Sequence, residues 1–198
     1  EPITEEYKEY MKKSIKIFED MGFKIKLSKN IYKNTLGYSA TPKEKASDIN
    51  DMFSDKEVKA IISAVGGDNS FNCLGLIDYE NIKRNPKIIC EYSDATNYLE
   101  AIYTKTGLIT YHHLEMIDLG RKAKKDFELS QFKKILIDGT LGEVDKNSKY
   151  ITLQKGCVEG IIVGGNVPSM VTLLNTEYFP DLTDKILFLE VFATSTDF

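Results

Sequence analysis

Short apolar runs alternate with helix-like segments through the first half of the sequence, and this alternation limits the folds that the chain can adopt. Each run is short and rich in Ile or Val, which is typical of a strand buried on both faces of a parallel sheet. Strands that alternate with helices pair in parallel through right-handed crossovers. We therefore predict an α/β layered domain with a mainly parallel sheet, whose strand-like runs in chain order are VKAIISAV, PKIICEY and LITYHH.

Capping signals mark where the helices of this domain begin and end. Thr4 precedes apolar residues at helical spacing that end at Gly22, and Thr41 precedes Pro42 at the start of TPKEKASDINDMF. Thr is a favoured N-cap, Pro fits the first turn, and Gly commonly follows the last turn. Between these two helices, FKIKL alternates apolar and polar residues and is predicted to be a strand. Two further helices are predicted between the apolar runs, NCLGLIDYENIKRN and SDATNYLEAIYTKTG.

The character of the sequence changes near residue 119. Residues 119–149 are rich in charge and contain one amphipathic helical segment at about residues 129–137, so we interpret them as a connecting segment. From Tyr150 onward, short strand-like stretches follow one another, namely YITLQKG, CVEGIIVGGN and KILFLEVF. The sequence thus predicts an α/β domain over residues 1–118, the connecting segment, and the start of a smaller β-rich C-terminal domain, incomplete here, over residues 150–198.

Composition and charge argue against several classes of partner. The formal net charge of −4 gives no basic field that would attract nucleic acid or an anionic membrane surface. No apolar stretch approaches the roughly 18 residues that a membrane helix needs. The cysteines are widely spaced without a CxxC pair, which fits a reducing compartment better than disulfides or a zinc site; they are Cys73, Cys90 and Cys157. We expect a cytoplasmic protein that contains no metal or other cofactor.

The stretch SAVGGDNSFN, residues 63–72, places Ser70 just after a predicted strand and allows two interpretations. In the first, the glycines turn the chain sharply and Ser70 is a nucleophile at the carboxyl end of the strand, where α/β sheets bind ligands. The N–H of Phe71 would then face a developing oxyanion. In the second, Ser70 caps the following helix. Local periodicity favours the cap, since the spacing is not the G-x-S-x-G pattern.

Other side chains near the predicted sheet edge also carry chemistry. Asp68 and Asp94 are neighbouring acids, and we expect Asp94 to accept backbone hydrogen bonds at a helix start. His112 and His113 are the two histidines of the sequence, and adjacent residues on a strand point to opposite faces, so we expect structural roles for both. No Gly-Lys-Ser/Thr follows the glycine turn and no G-x-G-x-x-G occurs, which argues against a nucleotide-phosphate site.

An ordered set of motifs extends along the chain. Gly66 to Ser70 form a Gly-Gly-x-x-Ser turn, and DYENIKRNPK, YSDAT and KTGLIT follow it. Farther on lie GGN at residues 164–166 and PDLTDKILFLE at residues 180–190. In this order the motifs resemble the LD-carboxypeptidase family of serine peptidases, which includes the microcin C self-immunity proteins. The resemblance extends from Phe23 over nearly the whole chain, and its specificity lies in the order of the set.

The resemblance implies a Ser-His-Glu triad for acyl transfer. Ser70 would attack a carbonyl, a histidine would take its proton, and Glu190 would hold that imidazole in the right tautomer. The N–H groups of Gly67 and Phe71 would form the oxyanion hole, and Asn166 would donate its side-chain amide to the substrate. Without the resemblance, Glu190 is interpreted as a solvated strand end and Asn166 as a turn residue. The resemblance also implies a homodimer.

The sequence departs from the family pattern at several places. The family's base histidine lies well downstream of its acidic residue, whereas no histidine follows Glu190 here. His112 and His113 fall where the family has the strand end Y-H/Y-G-P, the Gly-Pro pair is missing, and Glu91 replaces a glycine. The family's first strand has no counterpart. These gaps fit either cut ends or a degenerate copy, and we expect this chain alone to be inactive.

Two functions from different classes follow from these observations. The first is a serine carboxypeptidase or amidase that cleaves a C-terminal amide of a small peptide or a peptidyl-nucleotide through an acyl-enzyme. The bond that this enzyme would cleave is either the L,D bond before a terminal D-alanine in murein peptides or the amide that joins a peptidyl aspartate to a modified nucleotide. The DNS sequence that ends at Ser70 favours the second bond by a small margin. The other function is ligand binding by a non-catalytic member of the same fold.

Overall fold

A three-stranded parallel sheet lies at the centre of the first half of the chain. The computed structural model describes residues 1–121, 126–140 and 142–192. In this sheet the strand order is β1-β2-β3, and both neighbouring pairs are parallel. The predicted α/β domain with a parallel sheet is therefore confirmed, although each strand is shorter than the apolar run that predicts it. The strands are β1 (Ala60–Ile62), β2 (Ile88–Glu91) and β3 (Tyr111–His112).

The first two helices of this half begin at the predicted caps. The Thr4 hydroxyl accepts the Tyr7 N–H at 3.2 Å, and Thr41 forms a reciprocal capping box with Glu44. The predicted helix NCLGLIDYENIKRN is instead divided into a 3₁₀ helix and a separate α-helix, because the Asp78 side chain accepts the Asn81 N–H and starts a new helix there. Gly107 ends the fourth helix with φ of 74°, a left-handed conformation that glycine adopts without strain. The helices are α1 (Glu5–Asp20), α2 (Pro42–Ser54), α3 (Tyr79–Arg84) and α4 (Thr96–Thr106), with a 3₁₀ helix at Ser70–Leu76.

The segment FKIKL is not a strand, contrary to the prediction, and the end of α1 explains why. The Gly22 N–H donates to the Glu19 carbonyl at 2.9 Å, and the Phe23 N–H donates to the Phe18 carbonyl at 3.0 Å. The rings of Phe18 and Phe23 pack edge to face with centroids 6.2 Å apart. This Schellman motif occupies the first N–H of the predicted strand, and residues 23–27 follow it without strand pairing.

Two apolar clusters enclose the sheet, one on each face. On β2, Ile89 belongs to the first cluster and Cys90 to the second, and successive strand residues point to opposite faces. Burial on both faces therefore holds for β2 but only in part for β1, where Ile61 and Ile62 pack on opposite clusters while half-buried and Ala60 is exposed. The first cluster comprises Ala46, Phe53, Cys73, Leu74, Ile77, Ile82, Ile89, Leu99, Ala101, Ile102 and Leu173, and the second comprises Phe18, Cys90, Leu114, Met116, Leu119 and Phe132.

The connecting segment holds short helices. The amphipathic segment predicted at residues 129–137 corresponds to α6 and a π-helical turn that continues it. The stretch YITLQKG forms no strand, contrary to the prediction, because no described strand pairs with it and Leu153 is 96 % exposed. No helix in the described ranges is long and apolar enough to cross a membrane. The elements are α5 (Asp118–Arg121), α6 (Asp126–Phe132) and the π turn Lys133–Ile137.

A second, two-stranded parallel sheet forms near the end of the described chain. Its strands pair over six residues, with Asn166 opposite Glu190 at the carboxyl ends. A short helix connects the strands, and the sequence analysis missed it. Its signals are Asn166, whose side chain accepts the Ser169 N–H at 3.2 Å, and Pro168 in the first turn. The elements are β4 (Ile161–Asn166), α7 (Val167–Leu173) and β5 (Lys185–Glu190).

We predict that Phe53→Ala lowers the free energy of unfolding by about 3–5 kcal/mol. The Phe53 side chain is fully buried in the first cluster, so its removal leaves a cavity that the neighbours fill only in part. Urea denaturation followed by circular dichroism measures the change. Leu153→Ala is the matched control, because loss of an exposed side chain changes stability by less than about 0.5 kcal/mol. Equal changes in the free energy of unfolding for the two substitutions would contradict the burial of Phe53 in this cluster.

Candidate active site

Ser70 is buried at the first residue of the 3₁₀ helix that follows the glycine turn. Its exposed fraction is 2 %. The interpretation of Ser70 as a helix cap is wrong, because Asn69 occupies the N-cap position and no side chain there accepts a backbone N–H. The Ser70 hydroxyl instead accepts a hydrogen bond from the Asn97 side-chain amide at 2.9 Å. It is held by side chains from another part of the chain.

The Asp94 carboxylate fixes the turn that carries Ser70. Its Oδ2 accepts the N–H groups of Asn69 at 3.0 Å and of Ser70 at 2.9 Å. The Ser70 hydroxyl lies 2.8 Å from Asp94 Oδ1 and 2.7 Å from the Asp94 carbonyl, and it donates its proton to this residue. The prediction that Asp94 accepts backbone hydrogen bonds at a helix start is confirmed, and the helix concerned is the one that begins at Ser70.

Asn97 is a site residue that the sequence analysis missed. It lies three residues after Asp94, which belongs to the 3₁₀ turn Ser93–Ala95 that leads into α4, so the two side chains lie close together. Its amide nitrogen donates to Ser70, and its Oδ1 accepts the Thr172 hydroxyl at 3.1 Å. The spacing from Asp94 was the available signal. Asn97 therefore links the serine to α7 in the second half of the chain.

Gly66, in the turn before Ser70, lies where side chains approach the backbone closely. A Cβ on Gly66 would lie 2.9 Å from Ser93 Oγ and 3.1 Å from Glu115 Oε1. At Gly67 the nearest side-chain atom to an added Cβ, Asp94 Oδ2, would lie 3.6 Å away, which is an ordinary van der Waals contact. The turn therefore needs a residue without a side chain at Gly66. Gly67 and Phe71 flank Ser70 within this segment, and their role as oxyanion donors stays a prediction.

Glu190 and Asn166 lie side by side at the carboxyl ends of β5 and β4. The Asn166 amide nitrogen donates to Glu190 Oε2 at 2.9 Å. Its amide oxygen accepts from the N–H and the hydroxyl of Ser169, so it caps α7, and the side chain is nearly buried. The interpretation of Asn166 as a turn residue thus fits the local structure. Glu190 is half-buried and paired, unlike the solvated strand end that its neighbours alone would indicate.

The two histidines face opposite sides of β3 and its continuation, as predicted. The His112 ring packs edge to face on Phe188 at 5.2 Å and near Tyr92 at 6.1 Å. The His113 ring packs on Phe132 at 6.4 Å. Burial lowers the pKa of His112, while the negative charge of Glu190 acts in the opposite direction. Their packing on aromatic rings agrees with the structural roles that the sequence analysis expected.

Two buried acids lie behind the serine turn. Burial raises the pKa of Glu115 to about 7, and the negative charge of Asp118 adds to this effect. Burial also raises the pKa of Glu91 well above its usual value, and the charge of Glu115 raises it further. Within the described residues, no group of three or more His, Cys, Asp or Glu side chains is arranged to hold a metal ion.

Family comparisons match both halves of this chain. Residues 1–113 match the LD-carboxypeptidase N-terminal domain, and residues 159–197 match the LD-carboxypeptidase C-terminal domain. The chain belongs to the LD-carboxypeptidase family. The resemblance that the ordered motifs indicate is therefore confirmed, and the parallel sheet with Ser70 at its edge lies within the part that matches the N-terminal domain.

Curated members of the LD-carboxypeptidase family are similar along most of this chain. The putative carboxypeptidase YocD of Bacillus subtilis is 31% identical over 192 residues, which cover 87% of this chain and 59% of YocD. The probable murein peptide carboxypeptidase of the same organism is 33% identical over 174 residues, which cover 87% of this chain and 54% of that protein. The chain thus spans a little more than half the length of these relatives.

Solved structures of a further relative share the fold. The microcin C7 self-immunity protein MccF of Escherichia coli is 31% identical over 217 residues, which cover 96% of this chain and 63% of MccF. Its complex with aspartyl sulfamoyl adenosine has a TM-score of 0.83 at 30% identity and covers 95% of this chain and 64% of that chain. An active-site mutant of MccF, in which a serine, an asparagine and a lysine are replaced by alanine, has a TM-score of 0.84.

Asp94→Ala is predicted to loosen the serine turn. The substitution removes the acceptor of two backbone N–H groups, which lowers the free energy of unfolding by about 1–3 kcal/mol. Hydrogen exchange at the amides of Asn69 and Ser70 should accelerate. The matched control is Asp68→Ala, since Asp68 is exposed. Equal exchange in both variants would show that Asp94 does not hold the turn.

Glu115 is predicted to make the free energy of unfolding fall as the pH rises. Because its folded pKa of about 7 exceeds the ordinary value of 4.5, the folded protein keeps a proton that the unfolded chain releases. The stabilisation is complete below the pKa of Glu115 in the unfolded chain and is lost as the pH rises through its pKa in the folded protein. Over this range the free energy of unfolding falls by about 3 kcal/mol. Urea denaturation from pH 4.5 to 8 should show a smaller fall in Glu115→Gln. The exposed Glu159→Gln serves as control and should retain the wild-type slope.

Proposed function

We propose that the protein to which this chain belongs is a serine carboxypeptidase or amidase that cleaves a C-terminal amide through an acyl-enzyme. The observation that supports this most strongly is the placement of Ser70. It lies after the carboxyl end of a parallel strand, in a turn whose backbone is fixed because Asp94 accepts the N–H groups of Asn69 and Ser70. A backbone that is fixed before the substrate binds can hold other donors, here the N–H groups of Gly67 and Phe71, at the position where charge develops in acyl transfer.

The proposed reaction has two steps. The Ser70 Oγ attacks the carbonyl carbon, its proton passes to the base, and the oxyanion is stabilised by the N–H groups of Gly67 and Phe71. The carbon–nitrogen bond then breaks, and the protonated base gives its proton to the leaving amine. Water hydrolyses the resulting ester by the same route in reverse. For the attack, the Ser70 proton must leave its present acceptor on Asp94.

Glu190 is the proposed acid of the Ser-His-Glu triad. It lies at the end of β5, next to Asn166, and it would orient a histidine and stabilise its cation. His112 and His113 pack on aromatic rings on opposite sides of β3. We propose that neither is this base and that the 198-residue chain on its own hydrolyses no faster than background.

The names of the relatives support two substrate classes. One is named a probable murein peptide carboxypeptidase, and MccF is solved with aspartyl sulfamoyl adenosine. We propose that the substrate is a small peptide with an unusual C-terminal link, either a terminal D-alanine or a nucleotide-like group. Asn166 would contact its carbonyl or carboxylate. An asparagine and a serine are both among the residues replaced in the MccF active-site mutant, which supports this pair of roles.

A fluorophosphonate tests the nucleophile in the full-length gene product. We expect mass spectrometry to find the adduct on Ser70, and Ser70→Ala to take no label there and to lose at least about 10³-fold in amide hydrolysis. Ser148→Ala is the matched control, because Ser148 is exposed and far along the sequence from the turn. Absence of an adduct on the folded wild-type protein, together with unchanged hydrolysis by Ser70→Ala, would refute the proposal. Turnover by the 198-residue chain would assign the base role to His112 or His113.

Non-catalytic ligand binding is the second candidate function. It is favoured by the Ser70 hydroxyl, which is held by Asp94 and Asn97 rather than by a histidine. Under this alternative the full-length protein binds aspartyl sulfamoyl adenosine without hydrolysing it, which calorimetry and product analysis would show. Hydrolysis of that compound would exclude it.

A further inference from the structure

Helix α4 presents two side chains, one helical turn apart, to the edge of β4. Thr96 and Glu100 are four residues apart and therefore lie on one face of the helix. Thr96 Oγ1 accepts the Asn166 N–H at 3.1 Å, and Glu100 Oε1 accepts the Gly164 N–H at 2.9 Å. N–H groups two residues apart on a strand point to the same edge. The helix thus occupies the side of β4 where another strand would otherwise pair.

This docking needs the helix to touch the strand backbone directly. A Cβ on Gly165 would lie 2.7 Å from Thr96 Cγ2, and the residue has φ of 157°, which side chains disfavour. At Gly164, with φ of 129°, a Cβ would lie 1.9 Å from the carbonyl oxygen of Phe188 on β5. The two glycines therefore let β4 lie between α4 and β5 without side chains in the way.

Glu100 is an unusual residue for this position. The side chain is 5 % exposed, and within the described residues Oε2 is buried without a hydrogen-bond partner. Burial raises the pKa of Glu100, and the hydrogen bond from the Gly164 N–H lowers it. A buried carboxyl with an unpaired oxygen destabilises a fold, and a leucine of similar size would avoid that cost. What a leucine cannot do is accept the Gly164 N–H.

We propose that Glu100 is a positioning residue for the candidate active site, an inference that rests on the proposed function. Through the Gly164 N–H, Glu100 fixes how far β4 extends along α4. The end of β4 carries Asn166, which donates to Glu190, while the first turn of α4 carries Asn97, which donates to Ser70. One helix thus sets the positions of the serine and of the acid relative to each other.

Two substitutions in the full-length protein separate positioning from packing. Glu100→Leu fills the space without an acceptor, whereas Glu100→Gln keeps an acceptor oxygen without a charge. In Glu100→Leu the lost hydrogen bond is offset by removal of a buried carboxyl with an unpaired oxygen, so we expect the melting temperature to be retained while kcat/KM falls about tenfold or more. Glu100→Gln should stay within about threefold of wild type. The assay uses a murein tetrapeptide and aspartyl sulfamoyl adenosine. Wild-type kcat/KM in Glu100→Leu, or equal losses in both variants, would overturn the inference.

Hydrogen exchange supplies a readout that does not depend on catalysis. The amides of Gly164 and Asn166 should exchange about tenfold or more faster in Glu100→Leu than in wild type, and Glu100→Gln should restore protection. Unchanged exchange in Glu100→Leu would overturn the inference whatever the activity. The exposed Glu159→Gln is the matched control and should leave both amides protected.

Failure of the proposed function gives a different result. In that case the wild-type protein hydrolyses neither compound and takes no fluorophosphonate on Ser70. Faster exchange in Glu100→Leu with restoration in Glu100→Gln would then still support the role of Glu100 in placing β4, and the reaction itself would be refuted. The two proposals therefore fail on separate measurements.

Discussion

The carboxylate of Asp94 is the group on which the geometry of the site depends. It follows β2 in the chain, yet its Oδ2 accepts two N–H groups from the turn that follows β1. Hydrogen bonds to a carboxylate are stronger than those between neutral groups, so the two bonds to Asp94 hold the turn firmly. The same residue also accepts a hydrogen bond from the Ser70 hydroxyl, which fixes the side chain but keeps its proton away from a base. Attack on a carbonyl therefore begins with the loss of a hydrogen bond.

Helix α4 connects this turn to the second sheet. Asn97 on its first turn contacts Ser70 and Thr172, while Thr96 and Glu100 contact the backbone of β4. The second sheet is small and parallel, and its register places Asn166 opposite Glu190. Contacts of one helix with both halves of the chain thus join the serine turn to the end of β4. The relative placement of serine and acid is therefore a property of the folded core.

Much of the fold was readable from the sequence because its signals are local. Thr4 and Thr41 cap helices as predicted, and the apolar runs form the parallel sheet. A strand also needs a partner, however, and neither FKIKL nor YITLQKG has one within the described chain. In the first case the hydrogen bond from Phe23 back to α1 takes the N–H that a strand would use.

The candidate site was less readable, because its contacts join distant parts of the chain. A capping serine and a nucleophilic serine follow a glycine turn in the same way, so only the contacts with Asp94 and Asn97 separate the two interpretations of Ser70. Asn97 carries no motif of its own beyond its spacing from Asp94. Glu100 gives no sequence signal at all, since an acid in a helix is ordinarily exposed.

The docking of β4 on α4 has a consequence for the behaviour of the protein in concentrated solution. A strand edge with free N–H groups is a template onto which a strand of another molecule can add, and such addition leads to aggregation. On β4 the N–H groups of Gly164 and Asn166 are already bonded to side chains of a helix. The end of that edge, at residues 164–166, is closed to incoming strands, even though the strand itself is glycine-rich and largely apolar. Loss of either acceptor would thus leave an N–H group on this part of the edge available to a strand of another molecule.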